Sequence, residues 1–377
     1  MRILILSCGT GGGHNDAARG AAQALEARGH EAVLLDHYLA MAGKLVDRAV
    51  CDSYIETVRY CPAAFRGLYE VGRGASNLLH AAGARSPVYA ANAAQAKGLR
   101  ALLTQRHFDA VVTTHLFAAE TLTWLRRSGM ELPMTVAVAT DYTCLPFWEE
   151  TDCDWYVVPN AATAADFARH GVPTARLQLL GIPAPAAFTT HFDRAAARAA
   201  LGFAPDKKYL LVMGGSMGAG DLRGLIGRIR AGMSPEMRLV ALTGSNAALH
   251  TALSKAYAGD RAVWLPQEPC AAVPYLQACD VLFTKPGGLT SVESALCRIP
   301  TVLLSPLSPC EDANRDALVR AGCALAPVST ASRAKWGLRL ARDARTAAAM
   351  RRAQAAFLPE NPAQALADFL EERIGPA

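Results

Sequence analysis

The stretch Ile3-Leu4-Ile5-Leu6, followed after two residues by Gly9-Thr10-Gly11-Gly12-Gly13-His14, decides the fold class. A short apolar run, a glycine-rich turn and then a helical stretch are typical of the start of a parallel α/β sheet. The same order recurs where Leu210-Leu211-Val212-Met213 leads into the glycines between Gly214 and Gly220. The sequence therefore predicts an α/β protein in which one plan is used twice.

The length of 377 residues favours two domains, because one domain typically holds roughly 100 to 200 residues. Proline- and glycine-rich stretches at 181–185 and 201–205 place the linker near residues 183–206. We expect domains at residues 1–185 and 206–355. Residues 356–377 are expected to form a C-terminal helix that packs back on the first domain.

Short β-branched or leucine-rich runs alternate with alanine-rich helical stretches in both halves. The expected strands lie near residues 3–6, 32–35, 110–113, 135–139 and 155–158 of the first half, and near 209–213, 239–242, 262–265, 281–284 and 301–304 of the second. In parallel sheets, loops and helix starts converge outside the carboxyl ends of the strands. We therefore expect ligands to bind there, between the two domains.

Composition and charge exclude some classes of protein. With 51% apolar and 19% charged residues the chain is unlike a disordered protein, and a net charge of +5 gives no reason to expect a nucleic acid partner. A basic surplus near the C-terminal end is offset only by Asp343 and is typical either of a solvated helix face or of contact with anionic lipid headgroups. Its members are Arg333, Lys335, Arg339, Arg342, Arg345, Arg351 and Arg352.

The ten cysteines form no C-x-x-C pair and have no metal-ligand spacing. Reduced thiols of a cytosolic protein are the simplest interpretation. The apolar run at 3–6 is too short for a signal peptide, and no apolar stretch approaches the roughly 20 residues of a membrane-spanning helix. We therefore expect a cytoplasmic protein whose contact with the inner face of the cell membrane is peripheral.

The segment from Asp36 to Ala94 is long for one connection in an α/β domain. Its aromatic residues alternate with lysines and arginines, as in helices that lie in a membrane interface. Its acidic residues nearly cancel that charge, so an ordinary packed helical insertion explains the pattern equally well.

The first glycine-rich turn carries a candidate catalytic residue. A dinucleotide fingerprint, G-x-G-x-x-G, would have a third glycine where this chain has His14, in a turn followed by a helix expected to begin near Asn15. Asp36 lies where a ribose-binding acid would follow the second strand, which leaves an NAD-dependent oxidoreductase as an alternative. His14 itself can act as a general base, or merely cap the helix or contact phosphate.

The second motif is Lys285-Pro286-Gly287-Gly288-Leu289-Thr290-Ser291-Val292-Glu293, directly after an expected strand. The amides of Gly288, Leu289 and Thr290 would open a helix, and helix starts favour phosphate groups. Glu293, one turn further along, could reach a ribose. The turn Gly214-Gly215-Ser216-Met217-Gly218 adds a second set of amides, and together the two turns indicate a site for a nucleoside diphosphate.

Both motifs, with Pro300 and the segment Pro309-Cys310-Glu311-Asp312-Ala313-Asn314, make the chain resemble one family. It is that of monogalactosyldiacylglycerol synthases and processive diacylglycerol glucosyltransferases, and more distantly the lipid-linked N-acetylglucosaminyltransferase of peptidoglycan synthesis. The resemblance implies two facing Rossmann-like domains of the GT-B type with a central cleft. It also implies an enzyme that transfers glucose or galactose from a UDP-sugar to diacylglycerol.

The resemblance assigns roles to individual residues. His14 matches the catalytic base, and Gly11, Gly12 and Gly13 form the loop on the acceptor side. Asp141, after the expected fourth strand, either orients His14 or lines the acceptor pocket, and a strand-end turn explains it equally well. The donor-binding residues would be Gly215, Ser216, Gly288, Leu289, Thr290, Glu293, Glu311 and Asn314.

The chain departs from the family pattern at one position of the donor site. The family usually has G-Q-E where this sequence has Pro309-Cys310-Glu311. The missing glutamine removes an amide that would face the hexose, so the sequence leaves glucose and galactose open as donors. Near Asp141 the apolar run Leu145-Pro146-Phe147-Trp148 suits an acyl chain or the protein core.

The expected reaction is a single displacement that inverts the sugar carbon and gives a β-linked glycolipid. Helix-start amides would stabilise the departing UDP, so neither a cofactor nor an obligatory metal is expected. Asp152-Cys153-Asp154 matches the D-x-D pattern of metal-dependent transferases, but it borders a buried strand and is interpreted as structural. A UDP-sugar epimerase, a peptidoglycan-type transferase and a non-catalytic nucleotide-sugar or lipid sensor remain alternatives.

Overall fold

The computed structural model describes residues 1–9, 12–43, 85–189, 192–267 and 270–375, and the single positions 67, 71, 72, 74 and 75. These residues form two units. Unit 1 comprises Met1–Ala186, Ser308–Cys310 and Asn361–Ala377, and unit 2 comprises Ala187–Leu307 and Glu311–Glu360.

Unit 1 contains a six-stranded parallel sheet with the strand order β2-β1-β3-β4-β5-β6. Its first strand has fully buried side chains from Ile3 to Leu6, as expected for a parallel sheet that is covered by helices on both faces. The strands are β1 (Arg2–Ser7), β2 (Glu31–Asp36), β3 (Ala110–Thr113), β4 (Met134–Val138), β5 (Trp155–Val157) and β6 (Leu177–Gln178).

The helices of unit 1 cover this sheet, and its last helix returns from the C-terminal end of the chain. In that helix Leu366 and Leu370 pack in the same core as Ile3 and Ile5. The described helices are α1 (Gly12–Glu26), α2 (His37–Ala42), α3 (Pro87–Ala93), α4 (Ala96–Gln105), α5 (Leu116–Arg127), α6 (Ala161–Arg169) and α16 (Pro362–Ile374). Helix α7 (Ala186–Thr189) starts at the last residue of the first segment of unit 1 and continues in unit 2.

Unit 2 repeats the plan with a second six-stranded parallel sheet, in the order β12-β11-β10-β7-β8-β9. The strands are β7 (Lys208–Met213), β8 (Met237–Leu242), β9 (Val263–Trp264), β10 (Val281–Thr284), β11 (Thr301–Leu303) and β12 (Ala324–Leu325). The helices are α8 (Arg194–Ala200), α9 (Leu222–Gly232), α10 (Ala247–Ala256), α11 (Val273–Ala278), α12 (Gly288–Leu296), α13 (Pro309–Arg320), α14 (Thr330–Leu340) and α15 (Ala344–Phe357).

The two sheets confirm the α/β class and every expected strand. The edge strands β6 and β12 were not expected, because two residues are too short to show a β pattern. One expected boundary is wrong: α1 begins at Gly12 rather than near Asn15, so His14 lies in its first turn.

Each sheet has one point where the strand order reverses. In unit 1 the chain runs outward from β1 to β2 and then resumes at β3, on the other side of β1. In unit 2 the corresponding neighbours are β7 and β10. Ligands of open parallel sheets bind outside the carboxyl ends of the strands at such a switch point. Each unit therefore has one edge position where a site is expected.

Most of the insertion expected between Asp36 and Ala94 lies outside the described residues. Helices α2 and α3 lie at its two ends and are described. Among the helices that the structure describes, none is both long and apolar enough to cross a membrane. No disulfide links any of the eight cysteines that lie within the described residues.

Candidate active site

His14 lies at the switch point of unit 1, where the ends of β1, β3 and β4 meet. Its Nδ1 atom is 2.9 Å from the carbonyl oxygen of Thr114, which follows β3, and 3.1 Å from Oγ1 of Thr140, which follows β4. The Thr114 hydroxyl in turn donates to the carbonyl oxygen of His14, at 3.0 Å. Two loops therefore hold both the ring and the backbone of this residue.

These contacts select one tautomer of the neutral His14 ring. A carbonyl oxygen only accepts, so Nδ1 carries the proton and donates it to Thr114. Nε2 then keeps its lone pair and is the basic nitrogen. Burial lowers the pKa of His14, while the negative charge of Asp141 and the hydrogen bond to Thr114 partly oppose this effect. The imidazole is thus neutral, and ready to accept a proton, at neutral pH.

Asp141 acts on His14 through its charge. It follows β4 and raises the pKa of the imidazole, whereas the hydrogen bonds to the ring come from Thr114 and Thr140. A role for Asp141 in catalysis stays a prediction, and the orienting groups are two threonines that the sequence analysis did not single out. The catalytic role of His14 likewise stays a prediction.

A second histidine packs against the candidate base. The ring centroids of His14 and His115 are 4.4 Å apart in an edge-to-face arrangement. Burial and the neighbouring His14 and His37 keep the pKa of His115 well below its usual range. Since Nδ1 of His115 accepts a hydrogen bond from the amide of Phe117, this neutral ring serves as a helix cap. Motif analysis missed it because its position is fixed only by the fold.

The remaining candidates of unit 1 have structural partners. Asp36 caps α2 by accepting a hydrogen bond from the Leu39 amide. Asp152 pairs with Arg176 at 2.6 Å and Asp154 with Arg126 at 2.7 Å. These pairs give both carboxylates of the D-x-D pattern a structural role.

Two glycines of the acceptor-side loop belong to the helix that carries the candidate base. Gly12 and Gly13 are the first two residues of α1. Gly11 lies outside the described residues. In the apolar run after Asp141, Trp148 is 3% exposed and packs with Tyr156 and Phe167 in the core. The core interpretation therefore holds for Trp148.

The glycine turn of unit 2 leaves no room for side chains. Gly215 and Gly218 have φ angles of +69° and +57°. A Cβ atom on Gly218 would lie 2.0 Å from the carbonyl oxygen of Thr243. The carbonyl of Ser216 accepts a hydrogen bond from the Ser245 amide, at 2.8 Å, so the turns after β7 and β8 are packed together.

The second motif opens a helix as predicted. α12 begins at Gly288, and the preceding Gly287 makes no side-chain capping bond. Gly288 and Leu289 are buried, Thr290 is partly exposed, and Glu293 is 8% exposed one turn further along. An amide-lined helix start suits a phosphate group. The assignment of these residues to the donor stays a prediction.

Glu311 and Asn314 lie on α13 and contact the residues that lead into α12. Glu311 Oε1 is 2.6 Å from the ammonium nitrogen of Lys285, and its Oε2 accepts from the Leu307 amide at 2.8 Å. The side-chain amide of Asn314, fully buried, donates to the carbonyl oxygen of Pro286 at 3.0 Å. Lys285 belongs to the second motif, but the sequence pattern predicted no role for it.

Comparison with known proteins separates the fold from the activity. Solved structures that match nearly the whole chain include MurG of Acinetobacter baumannii (TM-score 0.63, 14% identity, 98% of this chain and 99% of that chain) and the calicheamicin glycosyltransferase CalG4 (0.63, 15%, 100% of both). A UDP-GlcNAc 2-epimerase of Neisseria meningitidis matches as well (0.62, 12%, 99% and 100%). The GT-B fold is therefore shown, but it is common to transferases and epimerases.

Sequence comparison decides between these activities. The sequence model described as "Monogalactosyldiacylglycerol (MGDG) synthase" matches residues 14–184. A processive diacylglycerol beta-glucosyltransferase of Bacillus cytotoxicus is 24% identical over 98% of this chain and 93% of that protein. The enzyme of that name from Bacillus pumilus is 23% identical, covering 83% of this chain and 79% of its own length.

The fold, the two switch points and these relatives define a glycosyltransferase with two Rossmann-like domains. Within that class, the chain is similar in sequence to the monogalactosyldiacylglycerol synthases over residues 14–184 and to processive diacylglycerol glucosyltransferases over most of its length. The expected resemblance is confirmed, and the transferase interpretation replaces the oxidoreductase and sensor alternatives.

Proposed function

We propose that this enzyme transfers glucose or galactose from a UDP-sugar to the free hydroxyl of 1,2-diacylglycerol, giving a β-glycosyl diacylglycerol. The names of the relatives support the lipid acceptor and the β linkage. The observation that carries the chemistry is the fixed tautomer of His14, with Nδ1 bound to the Thr114 carbonyl and Nε2 left as the base.

The proposed reaction is one displacement at the sugar C1 atom. Nε2 of His14 takes the proton of the acceptor hydroxyl as the acceptor oxygen forms its bond to C1. The bond from C1 to the β-phosphate oxygen breaks, and UDP leaves with the electron pair. Attack opposite the leaving group inverts C1, which turns an α-linked donor into a β-linked product. The negative charge of Asp141 stabilises the imidazolium that forms.

Unit 2 would bind the donor. The first-turn amides of α12 and the turn at Gly215 and Ser216 would hold the diphosphate, and Glu293 would bind the ribose. Glu311 and Asn314 would contact the hexose. Amides and side chains stabilise the leaving group in this proposal, so we expect full activity in the presence of EDTA.

The decisive experiment is mass spectrometry of lipids after incubation with diacylglycerol and, separately, UDP-glucose, UDP-galactose and UDP-N-acetylglucosamine. A hexosyl diacylglycerol product from one of the first two donors is the expected result, and His14→Ala should abolish nearly all of it. Transfer of N-acetylglucosamine to a lipid-linked peptidoglycan precursor would support the peptidoglycan-type alternative. Conversion of a UDP-sugar without any acceptor would identify an epimerase and contradict the proposal.

A lipid acceptor requires the enzyme to reach a membrane, and we propose a peripheral contact with the anionic inner face of the cell membrane. A groove of about 880 Å³ lies between α9 and α14 of unit 2. Its lining includes the apolar residues Ala231, Ala334 and Leu338, together with four cations. These cations are Arg228, Lys335, Arg339 and Arg342.

The groove combines the features of an interfacial contact. Trp336 is 41% exposed beside it, and the Arg339 guanidinium lies 5.1 Å from the centre of the Trp336 ring. Asp343, the acidic residue of the groove, already caps α15 by accepting from Thr346. A lining that contains both cations and apolar side chains suits an anionic lipid, whose headgroup and acyl chain need different surroundings.

Flotation with vesicles tests this contact. The double variant Lys335→Glu/Arg339→Glu should lose binding to vesicles that contain phosphatidylglycerol. The control Lys255→Glu/Arg261→Glu changes the charge equally at two exposed positions of unit 2 and should bind like the wild type. Equal binding by all three proteins would show that the membrane contact lies elsewhere.

A further inference from the structure

Lys285 lies at the switch point of unit 2 and touches both glycine turns. It directly follows β10, and its side chain runs beneath the turn after β7. A Cβ atom built on Gly215 would lie 2.9 Å from Cε of Lys285, and one built on Gly287 would lie 3.1 Å from its Nζ. Both positions therefore have glycine where this side chain passes. The ammonium group is held beside the amides that would bind a diphosphate.

Lys285 also forms an ion pair that is nearly buried. Its Nζ atom is 2.6 Å from Oε1 of Glu311, and the side chains are 17% and 8% exposed. The second oxygen of Glu311 accepts from the Leu307 amide. A buried ion pair costs desolvation energy on both sides and is weak evidence for a purely stabilising role. Its position at the end of β10, beside the two glycine turns, suggests a functional explanation.

The negative charge of the expected ligand explains why a lysine would lie at this position. A UDP-sugar brings two negative charges to its diphosphate, and more charge develops on the β-phosphate as UDP departs. Amides supply only partial positive charge, whereas an ammonium supplies a full one. Because Lys285 already touches both turns, its ammonium can move from the Glu311 carboxylate to a phosphate oxygen without displacement of the backbone.

We propose that Lys285 supplies the counter-charge of the donor site. This positive charge is exchanged between two anions. Glu311 holds the ammonium in the donor-free protein, and the diphosphate takes it over when the UDP-sugar binds. The exchange releases Glu311 to meet the hexose at the same moment. The inference rests on the proposed function, since it assumes that the donor binds at these turns.

Titration with UDP and with uridine separates the charge effect from the nucleoside contacts. Lys285→Met should weaken UDP binding by about 10- to 100-fold, the usual range for one lost charge-assisted hydrogen bond, and leave uridine binding unchanged. Lys285→Arg should keep most of the UDP affinity. In the transfer reaction Lys285→Met should lower kcat by about 100- to 1,000-fold, as expected for lost stabilisation of the leaving group.

The variant Glu311→Gln distinguishes a functional ion pair from one that is only structural. Loss of the competing carboxylate should strengthen UDP binding several-fold, whereas a pair that only maintains the fold would leave it equal or weaker. In the Lys285→Met/Glu311→Gln double variant this gain should vanish, because Glu311 acts through Lys285. The double variant also leaves no unpaired buried charge, which guards against misfolding.

The outcomes distinguish this inference from the proposed function. If wild-type protein does not bind UDP, the proposed donor site itself is wrong. If the wild type binds UDP and Lys285→Met binds it equally well, only the counter-charge is wrong. A gain in affinity for Glu311→Gln that persists in the double variant would equally overturn it.

Discussion

The two switch points share a topology and differ in chemistry. In unit 1 the loop after β3 supplies a carbonyl oxygen that holds His14, at the start of the helix after β1. In unit 2 the loop after β10 supplies Lys285, which runs beneath Gly215 in the turn after β7. Topologically equivalent strand ends thus carry a neutral base in unit 1 and a cation among glycines in unit 2.

The difference shows how one plan supports two tasks. The first unit buries titratable groups near its switch point and lowers the pKa values of His14, His37 and His115 by desolvation. The second presents glycines, whose backbone can approach a ligand closely, and an ammonium that stays charged. A proton acceptor needs a neutral group, and a diphosphate site needs positive charge.

The largest expected effect comes from removal of the base. His14→Ala should lower kcat by about 100- to 10,000-fold, the usual contribution of general-base catalysis, and leave UDP binding unchanged. The control is His107→Ala, at an exposed histidine of the same unit whose side chain is 86% exposed. Turnover by His14→Ala within a few-fold of the wild type would show that His14 is not the base. The switch point of unit 1 would then lack the role that distinguishes it from that of unit 2.

The next effect concerns the glycine turn of unit 2. Gly218→Ala should destabilise the protein by about 1–3 kcal/mol and weaken UDP binding, because its Cβ atom would meet the Thr243 carbonyl at 2.0 Å and its φ is +57°. Gly259→Ala is the matched control, since Gly259 has a φ of +77° and open space at its Cβ position. Equal UDP affinity in both variants would argue against a role of the turn in binding.

A smaller effect is expected from a buried carboxyl of unit 1. Burial raises the pKa of Glu120 from 4.5 to about 8, so the folded protein keeps a proton that the unfolded chain loses above pH 4.5. Stability should therefore fall by up to about 1.4 kcal/mol per pH unit as pH rises between these values.

Glu120→Gln should remove this slope, because the glutamine amide does not ionise. Urea unfolding at pH 5 and at pH 8 measures the difference, and the variant should gain stability relative to the wild type at the higher pH. The exposed Glu131→Gln serves as the control and should show no such gain. An identical pH dependence for the wild type and Glu120→Gln would show that Glu120 ionises normally.

The smallest expected change is a shift in a pH profile. Burial places the pKa of His14 below its usual value, so the acid limb of kcat/KM should have its midpoint below pH 6.5. Asp141 raises that pKa, and Asp141→Asn should move the midpoint to still lower pH. A shift toward higher pH would mean that the carboxylate of Asp141 does not act on this imidazole.

Local sequence patterns determined much of the fold. The apolar runs predicted β1 and β7 because a strand buried on both faces must be apolar along its whole length. The helix start at Gly288 was also predicted, since a proline-glycine turn after a strand leaves few alternatives. The start of α1 was placed too late, because glycine runs within a first helical turn resemble a loop.

What the tertiary structure alone decided is the state of the functional groups. The tautomer of His14 depends on the Thr114 carbonyl, 100 residues away, and Lys285 meets its partner Glu311 26 residues further along the chain. Such contacts leave no periodic trace in a sequence, because they arise from loops that only sheet order brings together. The sequence therefore indicated which residue types form the candidate site. The protonation of His14 and the pairing of Lys285 follow from burial and distance in the folded protein.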